Sequence, residues 1–561
     1  QGRPQPRERT RPALSMTAPM RALLCVLSLA SAGAELAPPG VWPLPRSVSF
    51  GAQRGQLAPD FKVEVAEVGA GSGLPRSSKA DMVDEAIARY SKMCFPRSGR
   101  AALASAGRDA QLQTLKITVP AATRSPVDLK DAAENYTLSV GFPAAELKAS
   151  SGVGVLRGLE TFCQLLQQDE YHGPLSVLQA DIEDYPRFSF RGLLVDSSRH
   201  FLPLDLLRQH VDAMLYNKMN VLHWHIVDGN SFPYVSKAFP ELSAHAAYTQ
   251  REVYTIEDII DFVEFARLRG VRVLPEFDTP GHVFPSWGLG HPEVVTKCRD
   301  GTTGPLRVDL NETYDFIRSL FSEVGQVFPD SYLHLGGDEV SFDCWNSNPE
   351  VTAFMKARKF DGAALENYYE NRLLDIVGSL GKSYVVWQEI FNNGVHVKPD
   401  TVIDVWKGFD RQTLAEAAAR NFTVIVSGGW YLDDGDGACC TFDGWKFYAQ
   451  DPANFTGGAL AESSGRLLGG KACMWGEHVD ATNSISRIWP RASTVAERLW
   501  SDASVKKVAS TSGRLSTFRC SLVKRGIPAE SVDPGFCPDG VPYVYEPPYT
   551  QAATPSGEVL V

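Results

Sequence analysis

The pattern of hydrophobic and polar positions changes near residue 185. Beyond it, short apolar runs rich in β-branched residues alternate with longer stretches whose apolar residues recur at helical spacing. The runs are 192–196, 221–228, 271–278, 332–339, 384–389, 402–406, 424–427 and 472–475. Helical connectors are predicted at 204–216 and 256–269, and a helix at 488–500 follows the last run. Eight strands joined by helices predict an α/β protein with a (β/α)8 TIM barrel at residues 185–540.

Residues 35–184 mix both periodicities and predict a smaller α+β domain ahead of the barrel. Helices are predicted at 81–93 and 153–166, and strands at 115–119 and 136–140. Between them lie loops rich in glycine, serine and alanine. Since no group of residues with evident catalytic chemistry occurs here, we expect this domain to pack against the barrel.

The first 34 residues predict upstream sequence followed by a secretory signal peptide. The apolar stretch 22–30 follows Arg21 and ends near Ala34, with Met16 or Met20 as a reasonable start. It is too short to span a bilayer. We find no other candidate span and expect no membrane insertion. Residues 541–561 are assigned to a carboxyl-terminal tail.

Charge and modification signals narrow the partners. Residues 1–34 contain five arginines and one glutamate, so the remainder of the 55 basic and 66 acidic residues has a net charge of −15. This disfavours nucleic acids and anionic membranes as partners. Nine cysteines outside the signal suit an oxidising compartment, and the lack of a Cys-x-x-Cys argues against structural zinc. Asn-x-Thr sequons that predict glycosylation lie at Asn135, Asn311, Asn421 and Asn454.

Polar and aromatic residues gather where the barrel runs end. They are Asp196 with Arg199, Asp228, Asp278 with His282, Asp338 with Glu339, Trp387 with Glu389, Trp406, Trp430 with Tyr431, and Trp475 with Glu477. The carboxyl ends of barrel strands meet at one mouth, so these residues predict a pocket. Aromatic faces stack on the CH faces of a sugar, while carboxylates and arginine pair with its hydroxyls. The sequence therefore predicts a sugar site.

The strongest candidate chemistry is the segment His334-Leu335-Gly336-Gly337-Asp338-Glu339. The glycines let the backbone and a substrate approach closely. Adjacent carboxyl groups can hold different protonation states, because two nearby carboxylates resist ionising together. An acid pair alone would also fit a solvated turn, so the argument depends on the other strand ends.

Two alternatives stay open at this point. His223 and His225 alternate on one strand and could join Asp278 and His282 in the metal site of a metal-dependent hydrolase. The neighbouring tryptophans are unusual for such a site, and His225 fits a supporting hydrogen bond equally well. The second alternative is a non-catalytic glycan-binding barrel, but an enzyme that had lost its activity would be expected to lose one of its paired acids.

Seven ordered motifs make the chain resemble the eukaryotic β-N-acetylhexosaminidases of glycoside hydrolase family 20, closest to the lysosomal β-hexosaminidase subunits. They are RGLLVDSSRH (191–200), HWHIVD (223–228), EFDTPGH (276–282), HLGGDE (334–339), VWQE (386–389), WYLD (430–433) and MWGE (474–477). The resemblance covers about residues 135–537. It implies a small α/β domain followed by the barrel.

The resemblance implies exo-hydrolysis of terminal N-acetylglucosamine or N-acetylgalactosamine with retention, without a cofactor. The substrate's own 2-acetamido oxygen would attack the anomeric carbon. Glu339 would be the general acid and base, and Asp338 would orient the acetamido N–H. The substrate-binding residues implied are Arg199, Asp228, His282, Trp387, Trp406, Tyr431, Asp433, Trp475 and Glu477.

The resemblance also implies the disulfides Cys298–Cys344 and Cys520–Cys537. Cys94 has no evident partner and is expected to be unpaired. Asp434 adds a negative charge beside Asp433, so sugars sulfated at the 6-position are expected to be disfavoured. We expect a homodimer that acts on an oligosaccharide or glycoconjugate and reaches a lysosome or vacuole, or is secreted. The sequence does not set the preference between the two N-acetylhexosamines or name the natural substrate.

Overall fold

The computed structural model describes residues 40–68, 80–94, 111–126, 128–168, 175–434 and 441–537. The predicted signal peptide and carboxyl-terminal tail lie outside these residues, and the domain boundaries stay predictions. None of the helices in the described ranges combines the length and the apolar character needed to cross a membrane.

The amino-terminal part is a six-stranded mixed sheet with two helices. The sheet order is β1-β2-β4-β3-β6-β5, and β1 also pairs with β6. Asp81 and Ser151 cap the helices by accepting backbone N–H groups of the first turns. The expected α+β character is confirmed. The elements are β1 Ser47–Val68, α1 Met82–Met93, β2 Gln111–Pro120, a 3₁₀ turn Ala121–Thr123, β3 Tyr136–Val140, β4 Ala144–Ala149, α2 Gly152–Leu165, β5 Gln167–Gln168 and β6 Leu175–Asp184.

Eight parallel strands then close into a barrel, as predicted, in the order β7-β8-β9-β12-β13-β14-β15-β16. The strands are β7 Phe190–Asp196, β8 Val221–Val227, β9 Arg272–Phe277, β12 Tyr332–His334, β13 Ser383–Trp387, β14 Val402–Val405, β15 Thr423–Val426 and β16 Leu467–Met474, and a hairpin of β10 Val295–Lys297 and β11 Thr303–Leu306 precedes β12. The helices are α3 Leu204–Tyr216, α4 Pro240–Ala246, α5 Ile256–Arg267, α6 Ser286–Gly290, α7 Asn311–Val327, α8 Asp343–Ser347, α9 Pro349–Arg358, α10 Gly362–Ser379, α11 Gln388–Asn392, α12 Arg411–Ala419, α13 Gly444–Tyr448, α14 Gly458–Ser463, α15 Ser484–Ile488, α16 Arg491–Trp500 and α17 Val508–Lys524.

Some elements differ from their predictions for local reasons. The run 332–339 is a strand only at Tyr332–His334, because Gly336 and Gly337 have φ of 71° and 89° and turn the chain. The predicted helix 488–500 is divided into α15 and α16 at Pro490, which has no N–H to donate. Strands β1, β4, β5, β6, β10 and β11 were not predicted.

Buried ion pairs join the amino-terminal domain to the barrel. Glu134 accepts from Arg157 at 2.8 Å, from Arg191 at 2.5 Å and from Asn220 at 3.2 Å. Asp184 accepts from Lys218 at 2.7 Å, and also from Tyr136 and Trp500. We call Glu134, Arg157, Arg191, Asp184 and Lys218 the junction cluster. Removing one partner would leave a buried charge without its counter-ion, which is strongly destabilising. This cluster therefore fixes how the two domains pack.

The cysteines correct one expectation. Cys94, expected to be unpaired, forms a disulfide with Cys163 that ties the end of α1 to α2. The pairing depends on how these helices pack, and a separation of 69 residues hides it from the sequence. The structure also contains Cys298–Cys344 and Cys520–Cys537, while Cys473 is free and buried. The four candidate glycosylation asparagines are all exposed.

Candidate active site

The Gly-Gly turn after β12 places two carboxyl groups in different environments. Asp338 is 7% exposed, whereas the side chain of Glu339 is 59% exposed. Glu339 has a left-handed backbone, with φ of 51°. A Cβ atom on Gly336 would lie 1.8 Å from Asp278 Oδ1, so only glycine fits there. The turn thus presents one acid to solvent and keeps its neighbour inside.

A third acid lies beneath this pair. Asp278 accepts the backbone N–H of Gly337 at 2.8 Å. Burial raises the pKa of Asp278 well above its ordinary value, and the charges of Asp338 and Glu276 raise it further. Among the described residues no donor bonds to Asp278 Oδ2 or Asp338 Oδ1. A protonated Asp278 can therefore donate to Asp338 and hold it in place.

His282 lies among the acids. Its Nε2 is 3.7 Å from Asp338 Oδ2 and 3.8 Å from Glu339 Oε2, and its Nδ1 is 3.1 Å from Asp228 Oδ2. Burial alone would lower the pKa of His282, but the hydrogen bond to Asp228 and the nearby carboxylates raise it. The imidazole can therefore carry positive charge beside the acid pair.

Arg199 is fixed at the mouth by two carboxylates. Its guanidinium lies 3.2 Å from Asp196 and 2.9 Å from Asp228, and its Cζ is 5.0 Å from the ring centroid of Trp475. Burial would lower the pKa of Arg199, but Asp196, Asp228 and the nearby Glu477 raise it. A fixed, charged fork of donors suits sugar hydroxyls.

Four aromatic rings contributed by successive strand ends lie against one another. Trp406 and Tyr431 stack with centroids 5.9 Å apart, and Trp475 lies 6.2 Å from Trp387 and 6.4 Å from Tyr431. Hydrogen bonds to carboxylates fix two of the indoles, since Trp387 Nε1 donates to Glu276 at 2.7 Å and Trp406 Nε1 donates to Glu389 at 2.9 Å. Such rings form an apolar box for a small acyl group.

Asp433 and Glu477 stand at the rim of this box. Burial raises the pKa of Asp433 to about 6, and the charges of Glu477 and Asp434 add to the effect. No hydrogen-bond donor among the described residues reaches Asp433 Oδ1. This buried oxygen without a donor can accept a hydroxyl group of a ligand.

The barrel interior below the box holds a set of ionisable residues, of which only His223 and His225 were considered as candidate ligands from the sequence. We call Glu276, Asp404, Lys471, His223, His225 and His334 the barrel cluster; all six are buried. His225 donates to Glu276 at 2.6 Å and to Asp228 at 2.8 Å, so both of its ring nitrogens carry hydrogen. Burial opposes this charge, but Glu276 and Asp228 raise the pKa of His225 to about 10. Strand alternation could have indicated Glu276 from the sequence, since it lies two residues before Asp278 and therefore on the same face of the strand.

Within the described part of the chain, two groups of side chains have the composition of metal ligands, although His223 and His225, the pair suggested by the sequence, are not together in either. One group is His223, His334 and Asp404, and the other is Asp278, His282 and Asp338. In the first, the Lys471 ammonium already lies 2.5 Å from both His223 Nδ1 and Asp404 Oδ2. His225 instead makes the supporting hydrogen bonds described above.

A parallel barrel whose mouth combines paired acids, an anchored arginine and an aromatic box defines a glycoside hydrolase. Comparisons with known proteins show to which family of glycoside hydrolases the chain belongs. Residues 188–503 match the glycosyl hydrolase family 20 catalytic domain, and residues 41–165 match a domain described as beta-acetyl hexosaminidase like. The chain belongs to glycosyl hydrolase family 20, which confirms the resemblance found in the sequence.

Relatives and solved structures agree with this assignment. The chain is 44% identical to the β-hexosaminidase subunit beta of Felis catus over 523 residues, covering 91% of this chain and 95% of the relative. It is 47% identical to the subunit alpha of Bos taurus over 418 residues, covering 72% and 77%. The chitobiase structure of Flavobacterium johnsoniae superposes with a TM-score of 0.75 at 28% identity, covering 87% of this chain and 73% of that one.

Proposed function

We propose that the protein is an exo-acting β-N-acetylhexosaminidase that removes terminal non-reducing N-acetylglucosamine or N-acetylgalactosamine from glycoconjugates. The observation that carries this is the buried Asp338 beside the exposed Glu339, next to an aromatic box. The β-hexosaminidase relatives, which this chain matches over most of its length, support the same reaction.

The reaction proceeds by substrate-assisted hydrolysis with retention. The acetamido carbonyl oxygen attacks the anomeric carbon while Glu339 gives its proton to the departing glycosidic oxygen. Asp338 accepts the acetamido N–H and offsets the positive charge of the cyclic oxazolinium ion. Glu339 then takes a proton from a water molecule. This water attacks the anomeric carbon from the face that the leaving group occupied, and so opens the oxazolinium ring with retention.

The remaining candidate residues hold the sugar. The acetamide lies against the rings of Trp387, Trp406 and Trp475, and the Tyr431 hydroxyl donates to its oxygen. Arg199 and Glu477 bind ring hydroxyls, Asp433 binds near the 6-position, and Asp228 and His282 support the acids and the arginine. Asp278, a predicted strand-end residue to which the resemblance assigned no role, fixes Asp338 from below, as its contact with the Gly-Gly turn supports.

The setting of the protein extends this proposal. The sequons and the predicted signal peptide support a glycosylated enzyme of the secretory route, delivered to a lysosome or vacuole or secreted. The relatives named above are called subunits, which supports an oligomer, and we expect a homodimer. Light scattering of the purified protein would measure its mass in solution.

Substrate discrimination tests the mechanism. Chromogenic β-N-acetylglucosaminide and β-N-acetylgalactosaminide should be hydrolysed, while the β-glucoside, which cannot form the oxazolinium ring, should be almost inert. A thiazoline mimic of that ring should inhibit strongly, since the site stabilises that species. Equal hydrolysis of the acetamido and plain sugars, or a trapped glycosyl ester on a protein carboxylate, would contradict the mechanism.

Chelation tests the metal-dependent alternative. The matched family and relatives do not favour that reading or a non-catalytic barrel. Activity should survive exhaustive chelation, because no step above uses a Lewis acid. Loss of activity that zinc restores would instead show that histidines of the barrel are ligands.

A further inference from the structure

Lys471 is a lysine in the interior of the barrel. It lies in β16, fully buried, with Nζ 2.5 Å from Asp404 Oδ2 and 2.5 Å from His223 Nδ1. The ammonium is also 4.3 Å from the ring centroid of Trp387, a wall of the aromatic box. The ionisable groups around it are His223 from β8, Glu276 from β9, His334 from β12, Asp404 from β14 and Cys473 from its own strand.

The ammonium fixes the tautomer of His223. A lysine ammonium can only donate, so His223 Nδ1 must accept and carries no hydrogen. Burial lowers the pKa of His223, and the charge of Lys471 lowers it further, so the ring is neutral with its hydrogen on Nε2. That nitrogen makes a bent contact of 2.9 Å with Glu276 Oε2, the carboxylate that also accepts from Trp387.

Asp404 extends the effect to the turn that carries the acids. The Gly336 N–H donates to His334 Nδ1 at 3.2 Å, so this nitrogen, which also lies 3.2 Å from Glu276 Oε1, is an acceptor and the hydrogen of a neutral His334 is on Nε2. His334 Nε2 lies 3.7 Å from Asp404 Oδ2, the same oxygen that accepts from Lys471. Burial opposes the charge of Asp404, but Lys471 and His334 lower its pKa to about 2.

We propose that Lys471 is a positioning residue of the hydrolytic reaction. Its ammonium, held by Asp404, keeps His223 and His334 in their Nε2-protonated tautomers. His334 then holds the turn at Gly336 that presents Asp338 and Glu339. His223 completes the surroundings of Glu276, which orients Trp387 and the His225–Asp228 pair. The positioning role rests on the proposed sugar site, but the tautomers do not.

The protonation state is measured directly in the unaltered enzyme. Nitrogen NMR of ¹⁵N-histidine-labelled protein, with signals assigned from the His223→Gln and His334→Gln variants, should show Nε2–H and a bare Nδ1 for both rings. A doubly protonated ring, or hydrogen on Nδ1 of either one, would overturn the proposal. This measurement needs no folded Lys471 variant and does not depend on which sugar is cleaved.

Kinetics test the positioning role against a matched control. The Lys471→Met, Asp404→Asn double variant removes the pair without leaving a lone charge. The control is Lys218→Met with Asp184→Asn, because Lys218 is equally buried and lies 2.7 Å from Asp184 but far along the chain from the acids. We expect kcat/KM of the first variant to fall about 10- to 100-fold, the usual cost of losing an orienting partner, mostly through kcat.

The control separates positioning from folding. The Lys218 variant should lose thermal stability yet keep its kcat/KM, measured per folded molecule. Unchanged kcat/KM in the Lys471 variant, or an equal loss in both variants, would overturn the positioning role. If both variants fail to fold, the histidine spectra of the parent decide the proposal.

Discussion

The junction cluster and the barrel cluster are both buried sets of charge, but they are built from different side chains. In the junction cluster each oxygen of Glu134 and Asp184 accepts a hydrogen bond, and the cations are two arginines and a lysine. Arginine does not titrate in the range where proteins fold. Glu134 and its two arginines can therefore hold a domain interface without a cation that exchanges protons.

The barrel cluster surrounds its carboxylates with imidazoles. His225 is charged while His223 is neutral, although both contact Glu276. Next to it, buried oxygens of Asp278 and Asp338 have no donor among the described residues. Burial and ion pairing alone therefore do not mark a functional site, and neither does an unpaired polar atom, since Arg157 Nη1 in the junction cluster also has no partner among the described residues. The site is distinguished by carboxyl and imidazole groups whose pKa values are raised, such as Asp278 and His282.

The largest effect should come from Glu339→Gln. Glutamine keeps the size of the side chain but has no proton to transfer, so turnover of an unactivated glycoside should fall about 10²–10⁴-fold. Because the side chain is mostly exposed, the unfolding midpoint in urea should not change. Near-normal turnover would rule out Glu339 as the acid, and a large loss of stability would remove the contrast with the junction cluster.

Glu134→Gln should have the opposite profile. It leaves Arg157 and Arg191 buried without a carboxylate, and breaking such a pair costs about 3–5 kcal/mol of unfolding free energy. Chemical denaturation would measure this loss, and kcat/KM of the folded protein should match the parent. A fall in kcat/KM as large as the one for Glu339→Gln would show that the junction cluster supports the chemistry as well.

The sequence predicted the barrel better than the domain in front of it. Parallel strands buried on both faces are continuous apolar runs, and all eight were found. Strand β1 alternates half-buried and exposed positions over 22 residues and has no such run. At the site, polar and aromatic residues at strand ends were recognised by their chemistry. Lys471 was not recognised. A lysine inside an apolar strand is easily taken for the end of the strand, and the predicted run 472–475 began one residue after it.

Asp338→Asn tests the buried member of the acid pair. An amide cannot offset the charge that develops on the acetamido nitrogen, so kcat should fall about 10²–10³-fold, as for loss of one oriented electrostatic partner. Any residual turnover of the plain β-glucoside should change less, because that substrate has no acetamide. Equal losses on both substrates would mean that Asp338 acts on folding or on the leaving group.

The smallest effect is expected for Asp433. Its side chain is partly buried and can still change its protonation state. Its pKa, raised to about 6 chiefly by burial, makes it mostly neutral at pH 5 and mostly ionised at pH 7. A 6-sulfate is anionic throughout this range, and titrations that affect both substrates equally cancel in their ratio. The ratio of kcat/KM for 6-sulfated over plain N-acetylglucosaminide should therefore fall as pH rises through 6, by about tenfold if the added repulsion is near 1.4 kcal/mol. Asp433→Asn keeps the shape without the ionisation and should flatten the ratio. A ratio that stays flat in the parent enzyme would place Asp433 away from the 6-position.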